Sequence, residues 1–524
     1  MSCRGQQEST DNRPISGQNR PMPFSQPRLE KPSNCLAFPA NESIDNLSTE
    51  SRNLSTGRTG YRFTVKVGKP KDANEAKNGT KLSRGANFKC VMSGTPITAD
   101  HVRGETKAGR MGARLMAMVA QGERTRAYLP PTKQMDEVAR QRIPEWKPEG
   151  LIVADARAFT PTLYGMAEWS DLLTPRQLCA MTTLSDLVQP ARKRVNRDAS
   201  TADMPDDNKP LAGGGTGAAA YADAVAIYLA LAMDKVADYN SSLVLWSPTR
   251  DQVKTTFSRQ ALPMTWDFAE TNVFANAAGD IAVSLDGICR TLATCGLGSD
   301  GHGYACDSQT QAISLHKVVS TDPPYYDNVP YADLSDFFYV WLRRSLKPAF
   351  PDLFSTLAVP KAEELVAFAY RHDGKQGAEA FFLVGMTQAM RRLAEQTHPA
   401  FPVTIYYAFK QSESENDVGT ASTGWETFLD AAIQAGFALS GTWPMRTERE
   451  ARSRGLGSNA LASSIVLVCR PRAADAHTAT RGEFVTALKA ELPQALAHLQ
   501  RGNIAPVDLA QAAIGPGMPP DVRG

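Results

Sequence analysis

The sequence predicts an α/β protein built on a wound sheet, and three stretches carry that expectation. Residues 317–320 form a short apolar run that stops at a proline-rich loop, as a buried strand does. Residues 403–410 are rich in aromatic and β-branched side chains, and residues 423–436 have helical spacing and end on a glycine. Residues 437–445 and 463–469 are two further strand-like runs. Strand, helix, strand in that order argues for a wound sheet.

Length and composition bound the rest. The chain has 524 residues, 42% hydrophobic and 21% charged, which is ordinary for a soluble protein and leaves room for several domains. The net charge of +2 means that any nucleic-acid binding must come from local patches. No apolar run reaches the length of a bilayer span, and the N-terminus has no signal-peptide core, so no membrane partner is expected. The eight cysteines are scattered, which favours a reducing cytoplasm.

In chain order, residues 1–58 read as a disordered polar leader. Residues 59–135 read as a small β-rich module, with an alternating strand at 61–67 and another at 88–92. Cys90 invites a zinc test, but the second thiolate position of a knuckle is Ser93, so no metal is expected. Arg103, Lys107, Arg110 and Arg114 fall at helical spacing and form either a phosphate-contacting stripe or a solvated face, with Gly104, Gly109 and Gly112 weakening the helix.

Residues 136–260 read as mainly helical, with helices at 175–194 and 218–238, a basic cluster from Arg192 to Arg197 and a strand at 150–155. Gly213 to Gly217 precede the second helix without a strand before them, which favours a hinge over a cofactor loop. Residues 261–475 hold the sheet. There Asp267 and Glu270 lie near a substrate or cofactor or in a solvated loop, and a helix spans 281–295. A strand at 303–307 ends in Asp307. Residues 476–524 read as an amphipathic helix at 482–499 and a tail.

The chemistry concentrates in Thr321-Asp322-Pro323-Pro324-Tyr325-Tyr326-Asp327-Asn328, where a strand gives way to a loop. Ligands of open α/β sheets bind at such strand ends. An aromatic amino nitrogen is a poor nucleophile because its lone pair is delocalised into the ring. Two acceptors on its N–H groups favour a tetrahedral nitrogen and release that pair. Asp322 offers a carboxylate, Pro323 a carbonyl aimed by two stiff prolines, and Tyr325 a face for stacking. The pattern fits methyl transfer to an exocyclic amine. A chance match to the four letters Asp-Pro-Pro-Tyr in a chain of this length is roughly one in a few hundred.

This motif, with the run from Tyr331 to Arg344 after it, resembles the DUF1156-containing adenine-specific DNA methylase family. Blocks at 93–97, 107–114, 260–270 and 459–464 carry the same resemblance, which spans about residues 60–515. It implies a Rossmann-like S-adenosylmethionine-dependent methyltransferase sheet with a ribbon-like insertion. It also implies catalytic roles for Asp322, Pro323, Pro324 and Tyr325, and a cofactor contact at Asp307. Double-stranded DNA is the implied partner, met by Arg103, Lys107, Arg110, Arg114, Arg446 and Arg449. The glycine motif that such families use for S-adenosylmethionine has no counterpart here. The chain resembles the later part of the family protein. Three readings stay open: a DNA adenine N6-methyltransferase; a DNA-binding piece that needs a separately encoded N-terminal half or other defence-system subunits; or methylation of another planar amine or amide, such as an RNA adenine or a glutamine side chain.

Overall fold

A computed structural model describes residues 63–513, except 69, 84, 124, 296–300, 408–422, 446–463, 474, 477–478 and 502–511. The polar leader, the C-terminal tail and the loop holding Arg446 and Arg449 lie outside the described residues. The protein is mixed α/β, with helices and several small sheets.

The chain opens with a short helix α1 (Ala73–Asn78), then a two-stranded ribbon of β1 (Phe88–Lys89) and β2 (Pro96–Ile97). The expected strand at 61–67 does not form, since residues 63–67 are irregular and have no partner strand among the described residues. Alternation alone cannot make a strand without a neighbour to bond it. Next come α2 (Ala99–Lys107), capped by Thr98, and a hairpin of β3 (Met118–Gln121) and β4 (Arg126–Leu129), then α3 (Lys133–Arg140). The expected strand at 150–155 is reduced to a single bridge between Leu151 and Glu168.

A helical layer follows. Helix α4 (Pro175–Thr201) starts with a capping box of Thr174 and Gln177 and continues through Pro190 past its expected end at 194. Helix α5 (Ala218–Asp238) buries a row of alanines, including Ala222, Ala226 and Ala230, whose small side chains let a neighbouring backbone come close. Two of the glycines before it are packed against their own chain: a Cβ on Gly215 would run into the Lys209 carbonyl, and one on Gly217 into the backbone of Pro205 to Asp207. A short ribbon of β5 (Trp246–Ser247) and β6 (Gln252–Val253) precedes α6 (Ile281–Thr294).

Asp234, on α5, has a buried Oδ1 with no hydrogen-bond partner among the described residues. Burial pushes its carboxyl up to about 8. The folded state therefore keeps a proton that the unfolded chain releases near pH 4, and stability falls as pH rises from there to about 8. Asp234→Asn should raise the melting temperature at pH 8 and flatten its decline between pH 5 and 8. An unchanged pH profile in thermal melts would refute this assignment.

The main sheet is built from β7 (Ser320–Thr321), β8 (Val403–Tyr407), β9 (Phe437–Met445) and β10 (Ser464–Pro471), in the order β7-β8-β10-β9. Strand β7 runs parallel to β8 with Thr321 opposite Ile405, while β10 is antiparallel to both of its neighbours. Strands β7, β8 and β9 thus share one direction, with a reversed strand inserted. Residues Ile465 to Cys469 of β10 are all buried, as expected of a central strand covered on both faces. Among the described residues β7 is an edge strand.

Helix α7 (Tyr331–Leu346) joins the helical layer, where Ser345 Oγ lies 2.8 Å from Ser185 Oγ on α4. Helices α8 (Lys375–Gln396) and α9 (Thr423–Gln434) pack Phe382, Met386, Trp425 and Phe428 into the sheet core. Helix α10 (Arg481–Arg501) follows the last strand. The strand expected at 303–307 is absent. Asp307 instead starts a turn, its carbonyl accepting from the Thr310 and Gln311 N–H groups.

Candidate active site

The Asp322-Pro323-Pro324-Tyr325 loop leaves the carboxyl end of β7 at the sheet edge. Thr404 on β8 donates its N–H to the Val319 carbonyl at 3.1 Å, fixing where the loop starts. Pro323 is buried and Asp322 exposed, so the loop's first turn is anchored while its carboxylate faces outward. Among the described residues no hydrogen bond or ion pair engages the Asp322 carboxylate or the Pro323 carbonyl.

Tyr325 stands on an aromatic pile. Its ring meets Tyr407 edge-on at 5.6 Å. Tyr407 lies flat on Phe428, 4.0 Å away and 7° from parallel, with Trp425 at 5.4 Å. Each such pair contributes about 0.5–1.5 kcal/mol beyond its buried area. Strand β8 and helix α9 thereby support the ring that would carry a base. Burial pushes the Tyr407 phenol well above its ordinary range, so it stays neutral.

Two further devices hold the loop. The Tyr326 ring packs edge-on against Phe382 at 5.0 Å, and its carbonyl accepts from the Ala367 N–H at 2.8 Å. Behind it, Arg371 donates to Asp333 and to Glu364, each at 2.6 Å. Tyr370 donates to the same Asp333 oxygen at 2.6 Å, and Glu364 accepts the Ala332 N–H at 2.9 Å. This network fixes the first turn of α7 to the segment from Glu364 to Arg371.

The structure brings Asp322, Pro323, Pro324 and Tyr325 together but separates the other expected residues. Asp307 is exposed in an irregular segment and ends no strand of the sheet, because the chain there turns on its own carbonyl. The basic stripe is broken: α2 ends at Lys107, since Gly109 takes a positive φ of 74°. Arg103 and Lys107 therefore lie on the helix, while Arg110 and Arg114 do not. Arg103 pairs with Asp100 at 3.3 Å and Arg110 with Glu105 at 2.6 Å. Glu270 is structural: it binds Arg176 at 2.6 Å and Thr174 at 3.1 Å, at the start of α4.

No protein-family model, no curated protein and no solved structure matches this chain. The site is therefore read from its own residues.

Three of those residues escaped the sequence. Tyr331 at the start of α7 has its phenol raised by burial and then by the Asp322 carboxylate, which places it beside the loop. Tyr407 was visible only as a strand residue. Arg157, from a segment far back in the chain, reaches Asp327 at 3.7 Å. Only proximity in sequence to the motif could have marked Tyr331, and nothing local marks the other two.

What the loop offers is a planar clamp. It has a carboxylate acceptor, a carbonyl acceptor and an aromatic face resting on buried rings. Such a set suits a flat amino-substituted ring and contains no strong base or nucleophile.

Proposed function

We propose that this chain carries the amine-activating half of a DNA adenine N6-methyltransferase. The observation that supports the reading is the Asp322 loop at the end of a parallel strand, its two acceptors unengaged and Tyr325 seated on the Tyr407–Phe428 stack. A target adenine turned out of the duplex would stack on Tyr325 and place its amino group between Asp322 and the Pro323 carbonyl. Holding both N–H groups there favours a tetrahedral nitrogen and exposes its lone pair. A parallel β7–β8 pair followed by a reversed strand is compatible with the Rossmann-like methyltransferase sheet that the sequence resemblance implies.

S-adenosylmethionine is the donor that the resemblance implies, and neither of the two positions that the sequence offered for it, the glycine-rich run at 213–217 and Asp307, is arranged to hold it. Gly215 accommodates the chain's own Lys209 carbonyl, and Asp307 faces solvent away from any strand end. The edge position of β7 among the described residues favours a second reading, in which a separately encoded chain supplies the donor-binding strands. Calorimetry with S-adenosylmethionine, paired with tritiated methyl transfer to bacterial genomic DNA, separates the two. Binding and labelling by the chain alone supports a self-sufficient enzyme. No binding, with labelling restored by a co-purified partner, supports the split site. Failure of both in every preparation would refute methyltransferase activity.

A further inference from the structure

The segment before the helical layer carries one cation to the rim of the Asp322 loop. Its backbone is fixed in the core. Phe159 and Ala158 are buried, the Phe159 N–H donates to the Asp155 carbonyl at 2.7 Å, and Leu262 donates to the Ala158 carbonyl at 2.7 Å. Between these anchors the Arg157 side chain stays 62% exposed. Its Nε and Nη2 reach the Asp155 carboxylate at 3.3 and 3.4 Å, and Nη1 points to Asp327. The guanidinium lies 5.7 Å from the centre of the Phe368 ring, next to Ala367, which is bonded to the Tyr326 carbonyl. Arg157 is thus held in register with the loop that carries Tyr325.

We propose that Arg157 is a phosphate clamp. It binds the DNA backbone phosphate beside the nucleotide that the Asp322 loop receives, and releases Asp327 to do so. This rests on reading the loop as a nucleobase site. A base drawn out of the stack brings its sugar and phosphates to the rim of the pocket, so a cation is needed there. With a net charge of +2, the chain supplies cations only locally. Arg157 is prepared for exchange. At 3.7 Å the Asp327 contact is too long for a hydrogen bond, and both partners are solvated, so breaking it costs little. Asp155 aligns one side of the planar fork and leaves Nη1 for an anion, the geometry in which a guanidinium binds phosphate. The alternative is an ordinary surface ion pair that holds two loops together.

The test is binding of a fluorescein-labelled, mixed-sequence DNA duplex by anisotropy across a range of salt, without methyl donor. Arg157→Gln should weaken binding about tenfold at moderate salt and lower the salt slope by about one phosphate. Arg157→Lys should restore the slope. Asp327→Asn, which removes the competing carboxylate, should tighten binding, and that gain should vanish in the Arg157→Gln background. A structural ion pair would leave the slope unchanged. An unchanged slope in Arg157→Gln with a wild-type melting temperature would overturn the proposal, as would the absence of duplex binding by the native chain. The two readings fail separately. Genomic DNA labelling lost in Asp322→Ala with an unaltered Arg157 slope sinks the clamp alone. A slope that depends on Arg157, with no labelling in any preparation including one with a co-purified partner, sinks the methylation reading alone.

Discussion

Asp322→Ala should lower methyl incorporation into genomic DNA by about two to three orders of magnitude, the usual cost of removing one pre-placed polar group from a developing charge. The loss should fall on the turnover rate more than on duplex affinity, since the proposed role has Asp322 meet the amino group alone. Asp322→Asn keeps a carbonyl acceptor but not its charge, and should lie between the alanine variant and the native protein. The variant should fold normally, because Asp322 is exposed and bonds to nothing among the described residues. Single-turnover labelling of the native and variant proteins, each with whatever partner restores activity, reads the difference. Native rates in Asp322→Ala would remove the amine-activation role from this loop.

The second large effect concerns stability. Arg371→Met should destabilise the fold by about 3–5 kcal/mol in a denaturant titration, because it strands two carboxylates in the interior. Asp333 is 1% exposed and Arg371 9%, so water cannot replace the lost partner. Asp333→Asn combined with Arg371→Met leaves a neutral pair of groups and should recover part of that loss. The same change should loosen the α7 start, which Glu364 holds through the Ala332 N–H. A shift below about 1 kcal/mol would mean that the pair is hydrated, not buried.

The sheet was legible where burial and turn chemistry agreed. Helix α9 stops before Gly436, whose φ of 92° lets the chain turn into β9. Both final strands stand close to their expected bounds because they pair with each other along nearly their whole length. The motif was legible because its prolines mark the end of a strand whatever the surroundings. What the sequence concealed depended on distant neighbours. Residues 63–67 and 303–307 carry strand-like composition but meet no strand to pair with among the described residues. The basic spacing from Arg103 to Arg114 is helical on paper, yet Gly109 ends the helix inside it. The Tyr407–Phe428 stack and the Arg157–Asp327 approach join residues far apart in the chain, which no local pattern encodes.

The brevity of β7 has a consequence for how this protein behaves in a crowded solution. An exposed sheet edge is a template for runaway self-association, and long flat edges seed fibres. Two residues present too few backbone groups to hold another copy of the chain by sheet extension alone. Any polypeptide that adds to this edge must secure itself through side chains on the neighbouring surfaces. The edge is therefore selective by being short: it discourages polymerisation while leaving a place for a partner whose own shape fits.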